Sequence, residues 1–394
     1  MALPHAKKAP PKRGFLMGNT LLCAHDKAAL IFWEHMNKWL MAAGLVAGWL
    51  TSWPSVAGDA FPACKPGTKI AEEGFVPIDG IEQWVTIRGA DCANPVVLIV
   101  HGGPGNPSTP FAENLYGPWE KDFTLVQWDQ RGSGKTFAQN PDTATRPLTM
   151  ALMAKDGVEV AAYATRRLGK RQVILFGGSW GSALAINMLK LQPKLFSAYQ
   201  GTSQLVEYRA NQNATYARAL ELTRAAGDKQ AVASLEALGA PPWANPRAFG
   251  IVRRITRRYE AKTTQPAPDT WWNFPPPYDT AAYKAAYTDG EDYSYMQLVG
   301  MKGDGMLSRI DLPALGTTFP MPIFIIQGKE DLLTMPAVSK AYFDRIKAPT
   351  KKYILLDKVG HDPNPLMVDA QFRVLKTQIA PLVQDYPGQV HLRP

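Results

Sequence analysis

The pentapeptide Gly177-Gly178-Ser179-Trp180-Gly181 lies between the apolar run Val173–Phe176 and the helix-forming stretch Ser182–Leu191. Few folds use a serine in that setting. Small residues on both sides allow a sharp turn from strand to helix. The turn lifts the serine hydroxyl out of a sheet and places it at a helix N-terminus, where the backbone dipole favours negative charge. The other use of such a turn is a serine that only caps its helix.

The rest of the chain supplies the sheet that this turn requires. Ile81–Ile87 alternates apolar and polar residues, as a half-buried strand does. Val96–Val100, Phe123–Trp128, Val173–Phe176, Phe196–Gln200, Met321–Ile326 and Lys352–Leu356 are short apolar runs, and helical patterns such as 148–168 fall between them. Strands alternating with helices predict an α/β fold with a mostly parallel sheet flanked by helices. Residues 203–305 break the rhythm. They begin with a strongly helical stretch over 206–238 and later hold an aromatic and proline cluster, Trp271–Tyr278. An inserted helical cap over 203–305 is expected, dividing the core into 58–202 and 306–394.

Ser179 needs a base, because a serine hydroxyl is a weak nucleophile. The chain has six histidines: His5, His25, His35, His101, His361 and His391. His101 belongs to the glycine loop His101-Gly102-Gly103-Pro104-Gly105, which follows the strand Val96–Val100 and suits close approach of backbone to a substrate. His391 lies in a proline-flanked tail. His361 follows the strand Lys352–Leu356 by a short loop and is the candidate base. An acid placed between serine and histidine in chain order would orient it. Asp331, just after Met321–Ile326, is the candidate, and its neighbour Glu330 competes. Backbone N–H groups of Gly103 and Trp180 are the expected oxyanion donors. His101 would then orient its loop and take no proton. Gly132-Ser133-Gly134-Lys135-Thr136 mimics the end of a phosphate loop, but Asp129 stands where that motif requires glycine.

The N-terminal 57 residues read as no part of the domain. Met36-Asn37-Lys38, the apolar run Trp39–Leu50 and the small residues Ser55-Val56-Ala57 have the grammar of a secretory signal. The run is shorter than the roughly 20 apolar residues of a spanning helix. An amphipathic helix packed on the domain is the alternative. A signal from about 36 to 57 makes the residues before Met36 an over-extended start. It also predicts export to a bacterial periplasm or exterior. Of the net charge of +9, +4 falls within residues 1–57, so the remainder gives no hint of an acidic partner. Cys64 and Cys92 would be an even pair in an oxidising compartment, either joined in a disulfide or left as two thiols. There is no Cys-x-x-Cys pair, which excludes zinc-ribbon and thioredoxin-like readings. Neither metal nor cofactor is expected. The pairs Arg253-Arg254 and Arg257-Arg258 read as a solvated helix face, with no nucleic-acid partner.

Together, His101–Gly105, Asp129-Gln130-Arg131-Gly132-Ser133-Gly134-Lys135-Thr136, Gly177–Ala185, Gly328–Asp331 and Val359–Pro363 resemble the proline iminopeptidase family of α/β-hydrolases. The resemblance spans roughly 70–200 and 306–385. It implies a Ser179–His361–Asp331 triad with Gly103 and Trp180 as oxyanion donors. It also implies that Asp129 and Arg131, with His101 and Gly102, brace the loops beside the site. Such enzymes hold a free N-terminal amine with cap carboxylates, commonly near a Trp-Glu segment. No Trp-Glu pair occurs in 203–305, and Glu207, Glu221, Asp289, Glu291 and Asp292 are the candidates to replace it. The expectation is a serine hydrolase acting on a short peptide or other small molecule. The alternatives are an esterase or amidase for small apolar acyl groups, and a non-catalytic binding protein on the same scaffold.

Overall fold

The computed structural model describes residues 64–141 and 147–384. The expected signal at 36–57, the segment before it and His391 lie outside the described residues.

Among the described residues, eight strands form one sheet: β1 (Ile70–Ile78), β2 (Ile81–Gly89), β3 (Val96–Val100), β4 (Thr124–Trp128), β5 (Val173–Gly178), β6 (Phe196–Thr202), β7 (Ile323–Gly328) and β8 (Lys351–Leu356). Their order is β1-β2-β4-β3-β5-β6-β7-β8. β1 and β2 pair antiparallel, as do β2 and β4, and the remaining pairs are parallel. The continuous apolar runs have a simple cause. Val96, Leu98 and Val100 pack into one core cluster, and Val97 and Ile99 pack into another. Leu175 and Ile325 join the first, while Ile174, Phe176, Phe324 and Ile326 join the second. Side chains alternate between faces with period two, and both faces are covered, so every position must be apolar.

The helices, in chain order, are α1 (Ala112–Tyr116), α2 (Gly134–Gln139), α3 (Met150–Leu168), α4 (Trp180–Leu191), α5 (Tyr208–Ala225), α6 (Lys229–Leu238), α7 (Pro246–Glu260), α8 (Ala281–Val299), α9 (Pro336–Arg345), α10 (Pro365–Val374) and α11 (Ala380–Gln384). α3 and α4 cover one face through Val160, Ala161, Ala164 and Leu184. α10 and α11 cover the other through Val368, Val374 and Val383. Helices α5–α8 form the insertion between β6 and β7. The helical stretch expected over 206–238 is two helices, because Asp228 starts a new one by accepting from Ala231 N–H at 3.0 Å. Ala219, Leu235, Trp243, Val252 and Ile255 give the insertion its own core, which Leu332 of the main domain joins.

The edges are polar. β8 exposes Lys351 and Lys352, and charged edge strands resist pairing with other chains. β1 at the opposite edge escapes the sequence pattern because Glu72, Glu73, Gly74 and Pro77 interrupt it. Glu72 pairs with Arg167 of α3. Next to β1, Cys64 and Cys92 form a disulfide with their Cα atoms 5.8 Å apart. Among the described residues, no helix is long and apolar enough to cross a membrane.

Candidate active site

Ser179 sits between β5 and α4 with φ 53° and ψ −124°. A non-glycine residue at positive φ stores roughly 1–3 kcal/mol of strain, which the surroundings must hold. They leave no room for a side chain two positions away on either side. A Cβ at Gly181 would collide with the Val100 carbonyl of β3, and one at Gly177 would lie 2.6 Å from the Gly181 carbonyl. Ser179 N–H donates to Thr202 O at 3.1 Å. Ser182 Oγ donates to Ser179 O at 2.6 Å and accepts from Leu205 N–H at 2.9 Å. The turn is therefore bonded at the end of β6 and packed against the end of β3.

The half-buried Ser179 Oγ lies 2.9 Å from His361 Nε2. His361 Nδ1 lies 3.1 Å from each Asp331 oxygen. A carboxylate only accepts, so Nδ1 carries the proton and Nε2 offers its lone pair to the serine hydroxyl. Asp331 has no exposure and is well supplied with donors. It accepts from Gln327 Nε2 at 2.8 Å, Leu333 N–H at 2.9 Å, Thr334 N–H at 2.7 Å and Thr334 Oγ1 at 2.6 Å. Burial pushes its carboxyl up, but the His361 charge and these bonds outweigh burial and hold it below the ordinary value. Burial likewise pushes His361 down, while Asp331 outweighs burial and sets the imidazole above 6.5. Glu330 does not share this contact, since its Oε2 accepts from Thr263 Oγ1 at 3.4 Å.

The loop after β3 runs beside the serine. A Cβ at Gly102 would lie 3.5 Å from Ser179 Cβ. Gly103 follows it. Trp180 opens α4, so its N–H is among those a helix leaves without an intrahelical partner. His101 is buried at 5% exposure. Its Nε2 accepts from Gln130 N–H at 3.1 Å, and its Nδ1 lies 2.8 Å from Gly102 O. Desolvation lowers its pKa to about 4, so it stays neutral. Asp129 accepts from Thr109 Oγ1 and from Lys135 N–H at 2.8 Å, which ties the 101–111 loop to the turn after β4. Burial raises Asp129 to about 6. Arg131 grips Asp156 of α3 through Nε at 2.8 Å and Nη2 at 3.0 Å, and it donates to Asp79 O at 3.2 Å.

The profile of the family described as the alpha/beta hydrolase fold matches residues 95–365. The chain belongs to the α/β-hydrolase fold family. It is 27% identical to the probable aminopeptidase YbaC of Bacillus subtilis (strain 168), over 73% of this chain and 89% of that one. It is 25% identical to the proline iminopeptidase of Lactobacillus delbrueckii subsp. lactis, over 74% and 92% respectively. Among solved structures, VinJ superposes with a TM-score of 0.59 at 19% identity, covering 81% of this chain and all of that one. The proline iminopeptidase of Mycobacterium smegmatis gives 0.52 at 18%, covering 79% and 98%. The structural likenesses establish the fold, and the chain is a proline iminopeptidase-like α/β-hydrolase.

In this hydrolase the cap candidates separate by position. Glu207 caps α5, accepting from Arg209 and Ala210 N–H. Glu221 pairs with Arg218 on an exposed face. Asp289 is exposed. Glu291 is half-buried, and α8 brings its backbone against the loop after β3: a Cβ at Gly105 would lie 2.9 Å from Glu291 Cα. Next to that loop, Phe111, Phe274 and Tyr287 form an aromatic wall with ring centroids 5.0–6.1 Å apart.

Sequence reasoning passed over two hydrolase residues that touch the site. Gln130 has no exposure. Its Nε2 donates to His101 O at 2.9 Å and its Oε1 accepts from Trp180 Nε1 at 3.1 Å. It lies inside the quoted 129–136 motif, two residues past the end of β4, which was the available signal. Thr334 touches both Asp331 and, at 3.2 Å, His361 Nδ1. Nothing in the local pattern distinguishes that threonine. Among the described residues, no group of three or more His, Cys, Asp or Glu side chains could hold a metal ion.

Proposed function

We propose that the protein is a serine hydrolase whose nucleophile is Ser179. The contact of Ser179 Oγ with His361 Nε2 at 2.9 Å carries this reading. His361 takes the hydroxyl proton as Oγ attacks an acyl carbon. Asp331 holds the proton-bearing Nδ1 and offsets the imidazolium charge. The tetrahedral oxyanion rests on the N–H groups of Gly103 and Trp180. His361 then returns the proton to the leaving group. Water repeats the cycle on the acyl-enzyme and frees the acid. His101, Gly102, Asp129 and Arg131 brace the loops.

Within that chemistry, the preferred substrate is a short peptide with an N-terminal proline. The relatives support this, and so does Glu291, a cap residue whose backbone lies against the loop after β3. The aromatic wall of Phe111, Phe274 and Tyr287 favours a second reading, an esterase for small apolar acyl groups. Proline p-nitroanilide and a short-chain p-nitrophenyl ester separate the two. Rapid turnover of the ester with none of the anilide would reject the peptidase reading. Labelling by a fluorophosphonate, lost in Ser179→Ala, is expected. An unlabelled wild type would favour a binding protein instead.

The reading extends to export, with cleavage after Ala57, a core of 58–202 and 306–394, and a cap of 203–305. The disulfide supports an oxidising compartment. Intact-mass measurement of protein recovered from a bacterial periplasm tests it. A product beginning anywhere but residue 58 would refute the cleavage site.

A further inference from the structure

The insertion meets the catalytic loops through the end of one helix. Glu260, the last residue of α7, is 5% exposed. Its Oε1 accepts from the N–H of Leu332, the residue after Asp331, at 2.7 Å. Its Oε2 packs on Gly360, the residue before His361, where a Cβ would lie only 3.2 Å away. Two turns earlier on the same helix face, Arg253 Nη1 lies 3.6 Å from Glu260 Oε2. Arg253 Nη2 donates to Oδ1 of Asp362, the residue after His361, at 2.9 Å. Just past the helix, Gln265 N–H donates to Lys358 O at 2.9 Å, and Asn364 Nδ2 returns a bond to Gln265 O at 2.9 Å. A single stretch, 253–265, thus touches the residues on both sides of His361 and the one that follows Asp331.

This is an expensive place for a carboxylate. Burial raises the Glu260 pKa, and the Asp331 charge adds to that, against Arg253 and His361. A helix end that needed only packing would be served by an apolar or amide side chain. A charge kept here, bonded to one loop and paired with an arginine bonded to the other, has a geometric use.

We infer that Glu260 and Arg253 are positioning residues, a pair carried by the cap that sets the spacing of the Asp331 and His361 loops for proton transfer from Ser179. Neither touches the reacting atoms. The inference rests on the triad reading above. It makes the cap part of the catalytic frame, with the acid and the base each held from the insertion side.

Other charged groups near the pair stay unchanged in the test. Asp362 follows His361 in the chain and pairs with Arg257 at 3.1 Å. Arg218, Lys262, Lys329 and Glu330 surround a cleft of about 400 Å³ that Glu260 and Asp331 also line. The test is steady-state kinetics on whichever of proline p-nitroanilide and p-nitrophenyl acetate the wild type turns over. Glu260→Gln is expected to lower kcat roughly tenfold with KM within about twofold. Its kcat/KM acid limb should move to lower pH, because an anion that favours the His361 imidazolium is gone. Arg253→Met should move that limb to higher pH, because a cation is gone. General loss of packing has no reason to shift the limb in opposite directions. If Arg253→Met does not fold, Arg253→Gln serves, with the limb again expected to move to higher pH. Wild-type kcat and acid limb in Glu260→Gln, or shifts of the same sign in Glu260→Gln and Arg253→Met, would overturn the inference while Ser179 labelling kept the triad intact. A wild type inert to substrates and to fluorophosphonate would overturn the triad and this inference together.

Discussion

Trp180 Nε1 donates to Gln130 Oε1 at 3.1 Å, so the residue after the nucleophile is tied to the turn after β4. The same amide donates to His101 O, the start of the glycine loop. One side chain thus sets the distance between the two segments proposed to hold the oxyanion. Gln130→Leu is expected to lower kcat by about 100-fold with little change in KM, comparable to loss of one oxyanion donor. Stopped assays with a parallel thermal melt would check this, and an unchanged kcat in folded protein would contradict it.

Asp331→Asn keeps the shape of the side chain but inverts the hydrogen-bond preference at His361 Nδ1. The imidazole then takes the wrong tautomer. A loss of about 10⁴ in kcat is expected, as in other serine–histidine–aspartate sites. Ser179→Ala should lose both turnover and covalent labelling.

The charge balance at His361 predicts the pH profile. Asp331 raises the imidazole above its ordinary 6.5, and activity requires it neutral. The acid limb of kcat/KM should therefore lie above 6.5 and move down in Asp331→Asn. Stability follows the partner. The Asp331 carboxyl is depressed, so its contribution is present above 3.8 and is lost as pH falls through its folded value. Melting temperature should drop less steeply below pH 4 in Asp331→Asn than in wild type.

Arg131 supplies the paired charge for Asp156, which has no exposure. Arg131→Met leaves that carboxylate buried and unpaired. Destabilisation of about 3–5 kcal/mol is expected by chemical denaturation. A loss under 1 kcal/mol would mean that the pair adds nothing to the fold.

The Cys64–Cys92 bridge closes a loop of sequence separation 28. Replacing both cysteines by serine should cost about 3.5 kcal/mol through chain entropy in the unfolded state. The melting temperature should fall while kcat stays unchanged.

The central strands and the elbow were legible because physics leaves them little choice. β3, β5 and β7 are buried on both faces, so their sequences are uninterrupted apolar runs. Positions 177 and 181 must be glycine because the Gly181 and Val100 carbonyls occupy the space a side chain would need. His361 could be named because few histidines compete with it. β1 was missed because an edge strand with Glu72, Glu73 and Pro77 has no strong pattern to read. Gln130 and Glu260 were missed for another reason. Each acts by bonding to backbone far away in the chain, and a local window holds no record of where a partner will be. The cap stayed least legible because its carboxylates differ only in placement, which the packing of α5 and α8 decides.

Ser179 and His361 stand 182 residues apart in the chain. A ribosome therefore delivers the hydroxyl long before it delivers its base. Until the last two strands have joined the sheet, the serine is as inert as any other. On the proposed triad, the chemistry belongs to the finished sheet and to no shorter piece of the chain.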